Sequence, residues 1–339
     1  MFQSLRLHDK QVLFFIGVAL LLLALVNFLL HLPQIKDFIV YPHFRFETSF
    51  FKTQSSDTSR RTNMVLFSVS DANEVTNVVV TTYNPENQEV YFIKLDPKTT
   101  VNLAYGRGLN SLANAFQEKN IDILLQTISD TFAIPIDGYF QLAQTDFSKE
   151  NLLGLKKNIT GVGNFWKIIH FGEFGKKVKT NYNALSLFSI YREIWSIRAD
   201  KFYYKELSQA YYLPEDQNGV TLTFFNKEQI DSLIDKLFND PSIEKEAAKV
   251  EIKNGTGKSG LATRSSRLIS NIGVEVVAID NAELDNIQKT IIINYNQKNY
   301  TAGRIAYALD GEIINRIPEE GRRGDIVVVI GHNYYNTFP

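Results

Sequence analysis

Asn254-Gly-Thr-Gly-Lys-Ser-Gly260 holds the most chemically suggestive spacing in the sequence. Gly255, Gly257 and Gly260 follow the G-x-G-x-x-G pattern that lets a backbone approach a dinucleotide pyrophosphate. The loop follows a strand-like Val250–Lys253 and opens a helix running to Asn271, and Asp280 ends the next strand about where a ribose-binding acid would stand. Gly257-Lys-Ser259 also imitates a phosphate loop, but the first glycine of that motif would fall on Ile252. A dinucleotide fold repeats its βαβ units, whereas here Val274–Ile279 is followed by another strand and the whole stretch is only about 90 residues long. What remains is a tight strand-to-helix turn. Its outward N–H groups at Asn254, Gly255, Gly257 and Gly260 can hold a carboxylate or phosphate, or the turn can serve close helix–sheet packing alone.

Other chemistry is sparse. The chain has no cysteine, which excludes disulfides, thiolate metal sites and thiol nucleophiles. Its five histidines form no i, i+3 or i, i+4 pair, no G-x-S-x-G is present, and the carboxylates are scattered. We therefore assign no metal ligands and no catalytic residues from motifs. A net charge of −1 provides no field that would recruit nucleic acid.

The elements that must carry these residues read as α/β. Val12–Leu32 is an uncharged apolar run, long enough as a helix to span the ~30 Å hydrocarbon layer. It exceeds the apolar core of a secretory signal and lacks the small-residue cleavage pattern. Arg6 and Lys10 precede it, so residues 1–11 are expected in the cytoplasm and the bulk of the chain outside, with the lipid bilayer as one partner. Residues 33–60 read as a stalk and linker. Met64–Val69, Asn77–Tyr83 and Glu89–Leu95 read as strands, the last two forming a hairpin. Leu109–Lys119 and Ile121–Phe132 carry helical periodicity, and Ile136–Leu142 is strand-like. Residues 161–180 mix glycines, aromatics and lysines, as a hairpin or a flap. Ala184–Ile197 and Lys227–Phe238 read as helices, and Phe202–Leu213 and Val220–Phe225 as strands. Residues 241–248 form a charged connector to a last domain at 249–335.

VEIKNGTGKSGLATRSSRLISNIGVEVVAIDNA, with the closing Gly324-Asp-Ile-Val-Val-Val-Ile-Gly331, resembles the LytR C-terminal domain over roughly 249–333. That family implies a binding or positioning module at the cell envelope, with no catalytic residues to carry over. Such domains often follow a LytR-CpsA-Psr (LCP) domain, which transfers glycopolymers from a polyprenyl pyrophosphate carrier to peptidoglycan using a divalent metal. Arg61-Thr-Asn63, Leu95-Asp-Pro-Lys-Thr-Thr-Val101 and Ile134-Pro-Ile-Asp-Gly-Tyr139 resemble LCP segments, which makes 61–240 a degenerate LCP-like α/β domain. The resemblance puts Asn63, Pro97 and Lys98 where the family has a metal-binding Asp, an Arg and an Asp. A neutral amide, a proline and a lysine cannot hold a cation and neutralise a pyrophosphate. Arg61, Arg192 and Arg198 are the candidates for phosphate contacts. The expectation is a non-catalytic envelope protein binding peptidoglycan, wall glycopolymer, a polyprenyl carrier or wall proteins. It needs no cofactor, and Mg only if the LCP-like domain is active. The alternative is an LCP-type transferase that moves glycopolymers from polyprenyl pyrophosphate to peptidoglycan with a displaced set of residues.

Overall fold

The computed structural model describes residues 60–142, 147–152, 178–182, 184–217, 219–317 and 323–335. These lie in one compact unit. The expected span at 12–32, the stalk and most of 161–180 lie outside the described residues. Among those described, no helix is long and apolar enough to cross a membrane.

The first part of the chain builds two sheets. β1 (Thr62–Val69) is central, pairing antiparallel with β2 (Val75–Asn84) and parallel with β6 (Gly138–Leu142). β3 (Glu89–Leu95), β7 (Val178–Thr180) and β8 (Phe202–Glu206) complete the order β7-β6-β1-β2-β3-β8. Six of the eight β1 residues are buried, as expected of a strand covered on both faces. Phe67 packs its ring 5.5 Å from Phe116 and 6.0 Å from Tyr139. Leu66 joins Val79, Phe92 and Ile197 in a separate cluster. The smaller sheet runs β5-β4-β10-β9, with β4 at Thr100–Leu103, β5 at Gly108–Ser111, β9 at Tyr212–Gln217 and β10 at Val220–Phe225.

Two expected elements differ. Leu109–Lys119 is not a helix: it is β5 followed by a 3-10 turn at Leu112–Phe116. Positive φ at Tyr105, Gly106 and Gly108 turns the chain into a β4–β5 hairpin, and Asn110 Oδ1 accepts from Ser111 N and Asn114 Nδ2. Those local side-chain bonds compete with the helix. Phe202–Leu213 splits into β8 and β9, which lie in different sheets either side of a 3-10 turn at Gln209–Tyr211.

Helices α1 (Ile121–Phe132) and α3 (Lys227–Phe238) start on Asn caps whose side chains accept from the backbone, Asn120 from Asp122 N and Asn226 from Gln229 N. α2 spans Ala184–Ser196. The charged connector folds as α4 (Pro241–Glu246), with Asp240 as its N-cap, Pro241 at the first turn and Ile243 buried in the last domain's core. That domain is a five-stranded sheet, β12-β11-β15-β13-β14. Its strands are β11 (Lys249–Asn254), β12 (Glu275–Asn281), β13 (Ile291–Asn294), β14 (Glu312–Asn315) and β15 (Ile326–Ile330). α5 (Leu261–Asn271) and α6 (Asn299–Ala308) share a core with Val250, Ile252, Ile292, Val328 and Ile330, so both cover one face. β13 runs antiparallel to β15, so the sheet mixes directions instead of repeating parallel βαβ units. α7 (His332–Tyr335) ends the described chain.

Two glycines of the last domain have opposite expected behaviour. A Cβ at Gly331 would lie 2.4 Å from the Lys289 carbonyl carbon and 2.6 Å from Thr290 N, and backbone cannot retreat. Gly331→Ala should therefore lose about 2–3 kcal/mol in urea unfolding. Gly303 sits inside α6 with no atom within 4 Å of a built Cβ. Gly303→Ala should gain about 0.5–1 kcal/mol. Equal effects at both sites would contradict this packing.

Candidate functional site

Arg61, the candidate nearest the start of β1, is 5 % exposed. Its Nη1 donates to Leu237 O at 2.5 Å and to Thr82 Oγ1 at 3.3 Å. Burial lowers its pKa to about 10, which still leaves it charged at neutral pH. Two residues on, Asn63 is buried against the turn before β6. Its N–H donates to Asp137 Oδ2 at 2.7 Å, Nδ2 donates to Pro135 O, and Asp137 N donates back to Asn63 O. These bonds start the β1–β6 ladder.

The last domain closes this end of the sheet. Arg304 of α6 is 3 % exposed and stands 3.5 Å from Asp137 and 3.7 Å from Asp240. Its Nη2 donates to Arg61 O at 3.4 Å. Burial works against its charge, but Asp137 and Asp240 outweigh that and raise its pKa. Tyr300 Oη donates to Asp240 Oδ2 at 2.7 Å, and Tyr307 Oη donates to Ile136 O at 3.3 Å. Arg60 lies 5.1 Å over the Tyr307 ring and 3.9 Å from Asp137. Glu246 at the end of α4 accepts from Tyr300 N and Thr301 N, placing a carboxylate on the positive end of α6.

A second contact joins the same two domains. The C-terminus of α1 leaves carbonyls without helical partners, and α5 supplies donors for them. Arg267 donates to Asp130 O and Thr131 O, and forms a fork with Asp231 at 2.5–3.0 Å. Asn271 Nδ2 donates to Phe132 O. Arg264 pairs with Asp130 at 2.8 Å.

The other sequence candidates do not join this cluster. Arg192 is exposed and pairs with its neighbour Glu193, and Arg198 is exposed and forks onto Asp200. Lys98 is exposed, with its N–H on Asp96 Oδ1, and Pro97 O accepts from Ala113 N. In the glycine loop, Gly255 N donates to Ile330 O, Thr256 N to Asn254 Oδ1, and Lys258 N to Thr256 Oγ1. Asn254 Nδ2 donates to Lys258 O. A Cβ at Gly255 would lie 2.7 Å from Ile287, while Gly257 and Gly260 adopt φ of 65° and 83°. Much of the loop's donor capacity is thus turned inward.

Asp137, Asp240, Tyr307 and Arg304 were not singled out by sequence. One signal was available: Arg304 is the only charged residue of α6, and it shares a buried face with Thr301, Ile305 and Ala308. A divalent cation beside Asn63 would meet one carboxylate and one amide facing Arg304 and Arg60, a donor set that does not fit it. Among the described residues no group of three or more acidic or histidine side chains is placed to hold a metal.

Asp130 gives a pH test of the second contact. Burial raises its pKa to about 6, outweighing Arg264, Gln126 and Arg267. The folded chain therefore holds this proton more tightly than the unfolded chain, whose ordinary value is 3.8. Acidification through that window favours the folded state at this group, and the gain is lost as pH rises past 6. Against Asp130→Asn, wild-type unfolding free energy should rise by roughly 1 kcal/mol between pH 7 and pH 5. A constant difference, or one of opposite sign, would contradict it.

Residues 247–334 match the family model described as LytR cell envelope-related transcriptional attenuator, LytR_C. No curated protein matches the chain. Among solved structures, TagT bound to LI-WTA is 13 % identical, covering 57 % of this chain and 96 % of that one, with a TM-score of 0.41. B. subtilis TagV is 12 % identical, covering 51 % and 94 %, at 0.43. A transcriptional regulator from Enterococcus faecalis is 11 % identical, covering 65 % and 90 %, at 0.44. Over residues 247–334, then, this chain is similar to the LytR_C family.

Proposed function

We propose that this chain is a membrane-tethered, non-catalytic envelope protein that binds or positions wall polymers or wall-associated proteins. The tether is the apolar run at 12–32, and the positive charge before it directs the remaining chain outward. The LytR_C match at 247–334 supports a place at the cell envelope. One observation carries the non-catalytic reading. At the sheet end where the LCP resemblance puts phosphate and metal chemistry, Arg304 of the last domain donates to the Arg61 main-chain carbonyl and stands 3.5 Å from Asp137. Pyrophosphate transfer needs cationic donors free to meet the developing charge on the phosphates. Here both guanidinium groups are shut away from solvent, at 5 % and 3 % exposure, Arg61 on Leu237 O and Thr82 Oγ1 and Arg304 beside Asp137 and Asp240.

Co-sedimentation of residues 35–339 with isolated cell wall tests the binding. A parallel assay offers the same fragment a polyprenyl-pyrophosphate-linked saccharide, a peptidoglycan acceptor and Mg. The expected result is sedimentation with the wall and no saccharide transfer above the protein-free rate. Transfer, or failure to sediment with the wall, would contradict the proposal.

A further inference from the structure

β14 is the edge strand of the LytR_C sheet and carries apolar residues into solvent: Ile313 is 39 % exposed, Ile314 36 % and Ile317, just beyond the strand, 85 %. Soluble proteins usually blunt such edges, because unpaired N–H and C=O groups invite another strand. Glu312 N donates to Thr290 O and Arg316 N to Asn294 O, so the even positions turn their backbone groups toward β13. By strand alternation Ile313, Asn315 and Ile317 turn theirs outward.

The side chains indicate what pairs with this edge. Ile314 lies in register with Ile293, and Ile293 with Val327, so an apolar row runs across the sheet on the face opposite α5 and α6. Among the described residues the row ends at Ile314 on the edge strand. We propose that a second copy of this chain pairs its own β14 antiparallel against this edge, on a two-fold axis at Ile314. Three features select that partner and that register. Ile314 meets Ile314 of the copy, which joins the two apolar rows. Glu312 of each copy, which pairs with the exposed Lys289 of its own chain, stands opposite Arg316 of the other, giving two cross-strand ion pairs. Ile313 and Asn315, both with outward backbone groups, become the hydrogen-bonded pairs flanking the axis. A register shifted to centre on Asn315 would set Ile314 opposite Arg316 and forfeit both the apolar and the ionic match.

Because the chain has no cysteine, a single introduced thiol reports its own partner. At a non-hydrogen-bonded antiparallel pair the Cα atoms stand about 4.5 Å apart, within disulfide reach. Full-length Ile314→Cys in mild detergent should form an oxidised dimer about tenfold faster than Leu284→Cys, an exposed control on a loop of the same domain. Adding Arg316→Glu to Ile314→Cys sets Glu against Glu312 and should remove most of that advantage; adding Glu312→Arg as well should restore it. The restored variant also shows that the altered chains fold. Equal rates at 284 and 314, or a rate at 314 indifferent to charge reversal and its compensation, would overturn the proposal.

Discussion

The described structure turns on one buried cation. Arg304 lies between Asp137 and Asp240 and donates to the carbonyl of Arg61. Taking a guanidinium and two carboxylates out of water carries a large desolvation penalty, and only close, well-oriented partners offset it. That penalty explains why so much is organised around the cluster. Asp240 caps α4 with one oxygen and takes Tyr300 and Arg304 with the other. Asp137 starts β6 against Asn63 while facing Arg304 and Arg60. Removing Arg304 would leave Asp240 buried without its ion-pair partner and Asp137 with only the 3.9 Å contact to Arg60, which makes this domain boundary unlike a flexible linker.

The second contact uses weaker means to the same end. Arg267 and Asn271 satisfy the last carbonyls of α1, where the helix dipole is negative. α5 therefore reads the end of α1 as α6 reads the end of β1. A binding surface made from both domains would keep a fixed geometry, as the proposed positioning role requires.

Much of the architecture was legible in sequence. β3, α1, α3 and β10 coincide with their expected spans, because β-branched runs and capped amphipathic stretches state their period locally. The apolar spacing of Leu109, Leu112, Ala113 and Phe116 misled because Leu109 faces solvent, and the turn before it is set by backbone torsions that spacing does not encode. The connector at 241–248 had a readable helix start in Asp240-Pro241, but its charge obscured it. The site was less legible. Arg61 could be picked out as a candidate for phosphate contacts, yet Arg304, which donates to its carbonyl, lies 243 positions away. No local pattern joins residues that only the docking of two domains brings together.

Hydrogen exchange on wild type and Arg304→Ala tests this account most directly. Wild type should show the slowest amides of β1 and of β11 opening with one shared free energy, as a single cooperative unit. Arg304→Ala should lower protection in both strands, by about 3–5 kcal/mol where the opening is global. Strands that open independently in wild type, or a loss of protection confined to α6, would contradict it.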